Sequence, residues 1–261
     1  MPTTATSGKH LVLVHGLCHG AWSWYKVMTH LRSTGHRVSA VDLGGSGVHP
    51  SRLEEIATFA DYIRPLLQFL QSLSTDERVV LVGHSFGGLA ISMAMEKFPH
   101  IVSVGVFVTA YMPNCNNPPI VQMTQYFKNL TPEMYMDCRF TFRNGLPAST
   151  ELGASYLGTM MYRNCQPEDL ALANTLIRPS WFFLEDMSKD SLLTKDKYGS
   201  ISRVYVVCEG DDVMDEKFQR FIIEDSPPNE VKSFPGAGHM IMLSKSKDIS
   251  LYLQEIATRY P

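Results

Sequence analysis

Ser85 occupies the centre of a glycine-rich motif, Gly83-His84-Ser85-Phe86-Gly87. The apolar run at 79–82 predicts a strand before it, and residues 89–98 predict a helix after it. A serine on a tight strand-to-helix turn can act as a nucleophile, because the strained turn presents the hydroxyl and requires small neighbours. A chance glycine-rich turn is the alternative, but the flanking strand and helix favour a nucleophilic serine.

A nucleophilic serine needs a base, and His239 is the best candidate. It ends the small-residue loop 235–239, after the last predicted strand and before the closing helix. An imidazole can take the hydroxyl proton and later return it to the leaving group. A strand–turn–helix nucleophile of this kind is followed along the chain first by its acid and then by its histidine, so a late histidine fits.

The acid is expected where a strand at 203–208 ends, in Glu209-Gly210-Asp211-Asp212. A carboxylate there would orient the imidazole and stabilise its charged form. We choose Asp211 over Asp212, although spacing alone does not separate neighbours on a turn. Asp215 and Glu216 are interpreted as charges at a helix N-terminus.

An acyl-transfer site also needs two backbone N–H groups that face the developing oxyanion. The residue after the nucleophile, Phe86, should supply one, and Leu17 in the loop after the first strand should supply the other. The neighbouring His15, Cys18 and His19 could be read as metal ligands, but no second ligand cluster accompanies them. We therefore predict no metal.

Alternating strands and helices must position these residues. Strands are predicted at 11–14, 38–43, 78–83, 102–109, 203–208 and 231–234, and helices at 24–31, 53–73, 89–98, 170–176, 216–223 and 249–259. This order is typical of an α/β fold with a mostly parallel, doubly wound sheet. The methionine- and aromatic-rich segment between them shows no clear strand run, so we predict a mainly helical cap. The predicted division is core at 1–112, cap at 113–198 and core again at 199–261.

The composition of the chain argues against nucleic acid and membranes as binding partners. The 261 residues carry a formal net charge of -3 with a pI of about 6.3, so a nucleic-acid or anionic-membrane surface is not expected. No apolar run reaches the roughly 18 residues of a membrane span, and the polar N-terminus has no signal-peptide pattern. Five cysteines without framework spacing favour free thiols in a reducing compartment, so we expect a cytoplasmic protein.

Several longer motifs resemble the plant methylesterase and hydroxynitrile lyase family of α/β-hydrolases. They are the stretch 15–26, the serine motif, residues 94–99, the cap segment 167–173 and Gly238-His239-Met240. The family includes methyl salicylate, methyl jasmonate and polyneuridine aldehyde esterases. The resemblance implies a triad of Ser85, Asp211 and His239, oxyanion donors at Leu17 and Phe86, and no cofactor. Family members are often homodimers.

The resemblance also bears on the chemistry and the pocket. Hydroxynitrile lyases carry threonine at Gly16 and lysine at Met240, so this sequence looks like an esterase. Leu17, Tyr111, Tyr135 and Phe182 differ from the salicylate type, which has alanine, phenylalanine, tryptophan and leucine. Tyr126 and Phe140 are shared with it. The expected substrate-binding residues are Gly16, Tyr111, Tyr126, Tyr135, Phe140, Phe182 and Met240.

The combined prediction is a serine carboxylesterase that cleaves the methyl ester of a plant specialised metabolite. The extra phenols and the segment 52–62 favour a bulky monoterpene indole alkaloid, whose acid product could then lose carbon dioxide. The alternatives are a methyl salicylate or methyl jasmonate esterase, a hydroxynitrile lyase, a non-hydrolytic enzyme, and a ligand receptor on the same fold.

Overall fold

The computed structural model describes residues 8–260, so most of the polar N-terminal segment lies outside the described residues. The strands and the longer helices alternate through both halves of the chain. The strands are β1 (His10–Val14), β2 (Arg37–Val41), β3 (Val79–His84), β4 (Val102–Val108), β5 (Arg139–Arg143), β6 (Leu146–Glu151), β7 (Ser180–Trp181), β8 (Ser202–Cys208) and β9 (Glu230–Phe234).

The helices include both long elements and single turns. They are α1 (Tyr25–Ser33), α2 (Phe59–Gln71), α3 (Gly87–Lys97), α4 (Ile120–Lys128), α5 (Pro132–Tyr135), α6 (Ala154–Tyr156), α7 (Pro167–Leu176), α8 (Leu184–Met187), α9 (Glu216–Asp225), α10 (Ile241–Ser244) and α11 (Ser246–Arg259). Short 3₁₀ turns cover Ala21–Trp24, Leu53–Glu55 and Tyr198–Ser200, and a π-helical turn covers Leu157–Met161. None of the helices within residues 8–260 is long and apolar enough to cross a membrane.

Six parallel strands form the main sheet in the order β2-β1-β3-β4-β8-β9, which confirms the predicted α/β fold. β1 and β3 are buried along their whole length, as expected for strands covered on both faces. The strand order reverses beside β1, so the loops after β1 and β3 diverge at the carboxyl edge. Val14 pairs with Gly83 in this register, which brings the Leu17 loop next to the Ser85 turn.

The segment between β4 and β8 has more β-structure than the sequence indicated. Helices predominate, but β5, β6 and β7 also form a three-stranded antiparallel sheet. β5 does alternate, as Arg-Phe-Thr-Phe-Arg, but it is short and mostly exposed, and it was not predicted from the sequence. β6 contains Pro, Ser and Thr without apolar alternation. The division at 113 and 198 stays a prediction.

The long helix predicted at 53–73 was wrong at its start, because α2 begins only at Phe59. Thr58 is extended, with φ of -130°, and its hydroxyl accepts a hydrogen bond from the Asp61 N–H. The Asp61 carboxylate accepts in return from the Thr58 N–H at 3.0 Å. This capping box satisfies two otherwise unpaired N–H groups and fixes the first turn of the helix.

Candidate active site

Ser85 lies in a strained turn between β3 and α3. Its φ is 53°, in the left-handed region that side chains rarely adopt. The Ser85 carbonyl accepts hydrogen bonds from the N–H groups of Gly88 at 3.0 Å and Tyr111 at 3.2 Å. A Cβ on Gly87 would lie 2.5 Å from the His15 carbonyl oxygen, so only glycine fits there. Backbone contacts on both sides therefore hold the strained serine in place.

Asp211 and His239 form a buried pair at the carboxyl edge of the sheet. His239 Nδ1 donates to Asp211 Oδ2 at 2.8 Å, and both side chains are fully buried. Thr109 Oγ1 donates to the same oxygen at 2.6 Å. The N–H groups of Val213 and Met214 donate to Asp211 Oδ1 at 2.8 and 3.0 Å. Four donors thus satisfy the carboxylate, and the imidazole is left with its Nε2 facing away from it.

The structure separates the two aspartates that spacing left unresolved. Asp212, next to Asp211, forms an ion pair with Arg163 at 2.7 Å and is partly exposed, away from His239. Asp215 begins α9 and its carboxylate accepts from the Phe218 N–H at 2.8 Å. Asp211 is therefore the carboxylate that contacts the imidazole.

Ser85 and His239 line the same cavity but are not hydrogen-bonded to each other. The Ser85 hydroxyl donates a long hydrogen bond to the thioether sulfur of Met214 at 3.9 Å. His239 Nε2 is buried without a partner among the described residues. Catalytic hydrogen bonds often tighten only when substrate binds, so this arrangement is compatible with a serine–histidine pair.

Leu17 and Phe86 line the same cavity as Ser85. Within residues 8–260, neither backbone N–H donates a hydrogen bond to the protein. Gly16 precedes Leu17, and a Cβ on Gly16 would lie 2.9 Å from Ser85 Cβ. The loop after β1 therefore packs directly against the serine, as an oxyanion hole requires.

Three further histidines are buried around the site, and burial lowers the pKa of each. The pKa of His19 falls to about 4, and that of His84 lies well below its usual range. His15, whose pKa is also lowered, donates from Nδ1 to the Gly16 carbonyl at 2.7 Å and accepts from the Leu43 N–H at 3.1 Å. Among residues 8–260, no group of three histidine, cysteine, aspartate or glutamate side chains could hold a metal.

The cavity above Ser85 has a volume of about 90 Å³ and is lined by both core and cap. It includes six of the seven residues expected to bind substrate, which are Gly16, Tyr111, Tyr126, Tyr135, Phe140 and Phe182. Met240 is the exception and needs correction. It does not line the cavity, and its side chain is 1% exposed and packs in a hydrophobic cluster with residues of β1, β3 and α11.

Sequence reasoning missed four polar or sulfur-containing residues at this site. Thr109 contacts the Asp211 carboxylate, Met214 contacts the Ser85 hydroxyl, and Thr150 and Tyr156 line the cavity from the cap. Thr109 directly follows β4, so its place at the carboxyl edge could have been read from the strand pattern. The cap residues gave no comparable signal, because their strand and helix were not predicted.

Comparison with known proteins agrees with this geometry. A sequence model of the alpha/beta hydrolase family matches residues 11–249. The chain belongs to the alpha/beta hydrolase family. This chain is 50% identical over 254 residues to Methylesterase 10 of Arabidopsis thaliana, covering 96% of this chain and 92% of that protein. It is 44% identical over 259 residues to Methyl jasmonate esterase 1 of Vitis vinifera, covering 97% and 98%.

The structural comparison of this alpha/beta hydrolase gives the same result. The crystal structure of polyneuridine aldehyde esterase matches it with a TM-score of 0.91 and 40% identity, over 96% of this chain and 99% of that one. The predicted family is confirmed, and its relatives are plant methylesterases, which are carboxylic ester hydrolases.

Proposed function

We propose that this hydrolase is a serine carboxylesterase that cleaves the methyl ester of a plant specialised metabolite, with Ser85, His239 and Asp211 as its triad. One observation carries the proposal. The buried Asp211–His239 pair leaves an unpartnered Nε2 at the cavity that also holds the strained Ser85. A neutral imidazole in that position is a general base for the hydroxyl.

In the first half of the reaction, Ser85 Oγ attacks the ester carbonyl while its proton moves to His239 Nε2. The carbonyl oxygen becomes an oxyanion that accepts hydrogen bonds from the N–H groups of Leu17 and Phe86. Asp211 stabilises the imidazolium that forms. The C–O bond to the methoxy group then breaks, His239 returns the proton, and methanol leaves an acyl group on Ser85.

In the second half, water replaces methanol. His239 Nε2 takes a proton from the water as its oxygen attacks the acyl carbonyl, and the same two N–H groups receive the oxyanion. The bond to Ser85 Oγ breaks, the proton returns to the serine, and a carboxylic acid is released. Every step uses side chains and backbone groups of this chain, so we propose no cofactor and no metal.

The cavity lining supports an acyl group that is mostly apolar and carries polar substituents. Aromatic rings from core and cap enclose it, and Tyr111, Tyr126 and Tyr156 add phenol groups. Our finer proposal is a monoterpene indole alkaloid ester with an aldehyde β to the carboxyl. The acid released from such an ester loses carbon dioxide without further catalysis, because the β-carbonyl accepts the electron pair.

A hormone ester of the methyl jasmonate or methyl salicylate type is the second candidate. It is favoured by the relative that carries the name of a methyl jasmonate esterase. We further propose a cytoplasmic location, because the five cysteines are all free thiols. The small-molecule ester is the only partner the proposal requires, and a homodimer stays a prediction.

A panel of methyl esters tests the function. Purified protein would be incubated with methyl jasmonate, methyl salicylate, polyneuridine aldehyde and methyl benzoate, and scored by methanol release and by the mass of the product. We expect methanol in at least one reaction, with the corresponding acid or its decarboxylated form. Release of no methanol from any ester, at protein concentrations that permit many turnovers, would contradict the proposal.

A further inference from the structure

Thr150 lies on the face of the cap sheet that covers the active-site cavity. It is in β6, directly opposite Phe140 of β5, and Leu152 stands two residues further along the chain. Residues two apart on a strand and directly opposite across a pair share a face. Thr150, Phe140 and Leu152 all line the cavity, as this rule requires.

The hydroxyl of Thr150 is buried without a hydrogen-bond partner. The residue is 2% exposed, and its Oγ1 contacts no donor or acceptor among the described residues. The preceding Ser149 shows the contrast, since its hydroxyl pairs with Thr141 Oγ1 at 2.6 Å. Buried hydroxyls are normally paired, because leaving one unpaired costs free energy. Thr150 lines the cavity, so its unpaired hydroxyl is a candidate hydrogen-bond partner for a ligand bound there.

The position of Thr150 relates it to the acyl group of a bound substrate. Cys18 Sγ donates to the Thr150 carbonyl at 3.7 Å, and Cys18 directly follows Leu17. The cap is tied to the same loop again, because the Arg178 N–H donates to the Cys18 carbonyl at 3.0 Å. Thr150 therefore lies beside the loop that carries the proposed oxyanion donor Leu17, on the wall of the same cavity.

We propose that Thr150 is a specificity-determining residue whose hydroxyl binds a polar substituent, a hydroxyl or a carbonyl, on the acyl group of the ester. This inference rests on the proposed esterase function and refines its substrate class. Thr150 can donate to a carbonyl or exchange a hydrogen bond with a hydroxyl. An acyl group made only of hydrocarbon leaves the Thr150 hydroxyl unpaired and is disfavoured for that reason.

The test compares T150V, which keeps the shape but removes the hydroxyl, with T150S, which keeps the hydroxyl. The substrates are methyl benzoate, methyl 3-hydroxybenzoate and methyl 4-hydroxybenzoate, scored by kcat/KM. For at least one hydroxy ester we expect T150V to lower its kcat/KM relative to methyl benzoate by about threefold to tenfold, the value of one hydrogen bond. T150S should retain the wild-type ratio. Unchanged ratios in T150V for both hydroxy esters would overturn the proposal.

A binding measurement separates this proposal from the esterase proposal itself. Calorimetry would measure the Kd of benzoate, 3-hydroxybenzoate and 4-hydroxybenzoate for wild type and T150V, with no turnover needed. Loss of the preference for one hydroxybenzoate in T150V supports the role of Thr150 even if none of the esters is hydrolysed. An equal change for all three acids would show that Thr150 only packs the cavity wall, and would overturn the inference while leaving the esterase proposal intact.

Discussion

Asp211 Oδ2 lies 2.8 Å from His239 Nδ1, while the other oxygen of the same carboxylate is held by two backbone N–H groups. One oxygen fixes the carboxylate, and the other orients the imidazole. These hydrogen bonds fix His239 relative to the turn after β8, and they form without a bound substrate. It is the relationship from which the proposed triad follows.

The first prediction concerns the two neighbouring aspartates. Asp211→Asn should lower kcat by about 10³- to 10⁴-fold, because an amide can favour the wrong imidazole tautomer and no longer stabilises the imidazolium. Asp212→Asn is the matched control. Asp212 pairs with Arg163 at the surface, so its loss should change kcat by less than about twofold. Ester hydrolysis rates of the two purified variants check the prediction, and equal losses would refute the assignment of Asp211.

The second prediction concerns the close packing around Gly16, which has no Cβ. A Cβ there would lie 2.9 Å from Ser85 Cβ and 3.0 Å from His84 Nδ1, so Gly16→Ala must displace the serine or the oxyanion loop. We expect kcat/KM to fall at least about tenfold, since small misplacements at a reacting centre are costly. Gly158→Ala is the control, because the nearest atom to its added Cβ is Leu170 Cδ2 at an ordinary 3.5 Å. Wild-type kcat/KM in Gly16→Ala would contradict the tight contact.

The third prediction concerns stability against pH. Burial lowers the pKa of His19 to about 4 from an ordinary value of 6.5. The unfolded chain therefore binds a proton at a higher pH than the native protein. The contribution of His19 to stability is therefore fully present above pH 6.5 and is lost as pH falls towards 4. About 3 kcal/mol is lost over that window, and about 2 kcal/mol of it between pH 6.5 and 5.

His19→Gln provides the measurement. A glutamine can still donate to the Leu17 carbonyl and accept from the Tyr162 hydroxyl, the two bonds His19 makes at 2.8 Å, but it does not titrate. Urea unfolding at pH 7.5 and pH 5 should show a smaller loss for the variant than for wild type, by about 2 kcal/mol. An identical pH dependence in the two proteins would show that His19 is not buried in its neutral form.

The fourth prediction concerns the attachment of the cap helix α7 to α1. Asp169 is buried, and its carboxylate accepts from Lys26 Nζ at 2.6 Å and from the Tyr25 hydroxyl at 2.8 Å. Asp169→Ala should lower the free energy of unfolding by about 1–2 kcal/mol, because the Tyr25 hydroxyl, Lys26 Nζ and the Gln166 N–H lose their acceptor. Glu151→Ala, which breaks the exposed pair with Arg139, is the control and should have no measurable effect. Equal free energies of unfolding for Asp169→Ala and wild type, measured in denaturant, would refute the role of Asp169 in attaching α7 to α1.

The core could be predicted because its local signals agree with its tertiary environment. The apolar run before Ser85 is buried on both faces, and the turn after it uses glycines at positions where a side chain would meet backbone. Strand order along the chain then placed Asp211 and His239 at the same edge as Ser85. The positions of Leu17 and Phe86, after the first strand and after the nucleophile, identified the expected oxyanion donors. Family resemblance added six residues of the cavity lining.

The cap could not be predicted to the same depth. β6 contains Pro147, Ser149 and Thr150, which are buried although two of them are polar, so no apolar alternation indicates a strand. Thr150 becomes a candidate substrate-binding residue only because its hydroxyl lacks a hydrogen-bond partner, and this is visible only in the tertiary structure. The prediction that Met240 binds substrate failed for a related reason. The direction of the Met240 side chain depends on the backbone between His239 and α10.

The role of Ser85 as the nucleophile is tested by methanol release from a methyl ester of the panel above, measured for wild-type protein and for Ser85→Ala under identical conditions. Removing the hydroxyl removes the atom that forms the acyl-enzyme, so we predict that the variant loses at least about 10³-fold in kcat. Release of methanol by Ser85→Ala at the wild-type rate would contradict the account.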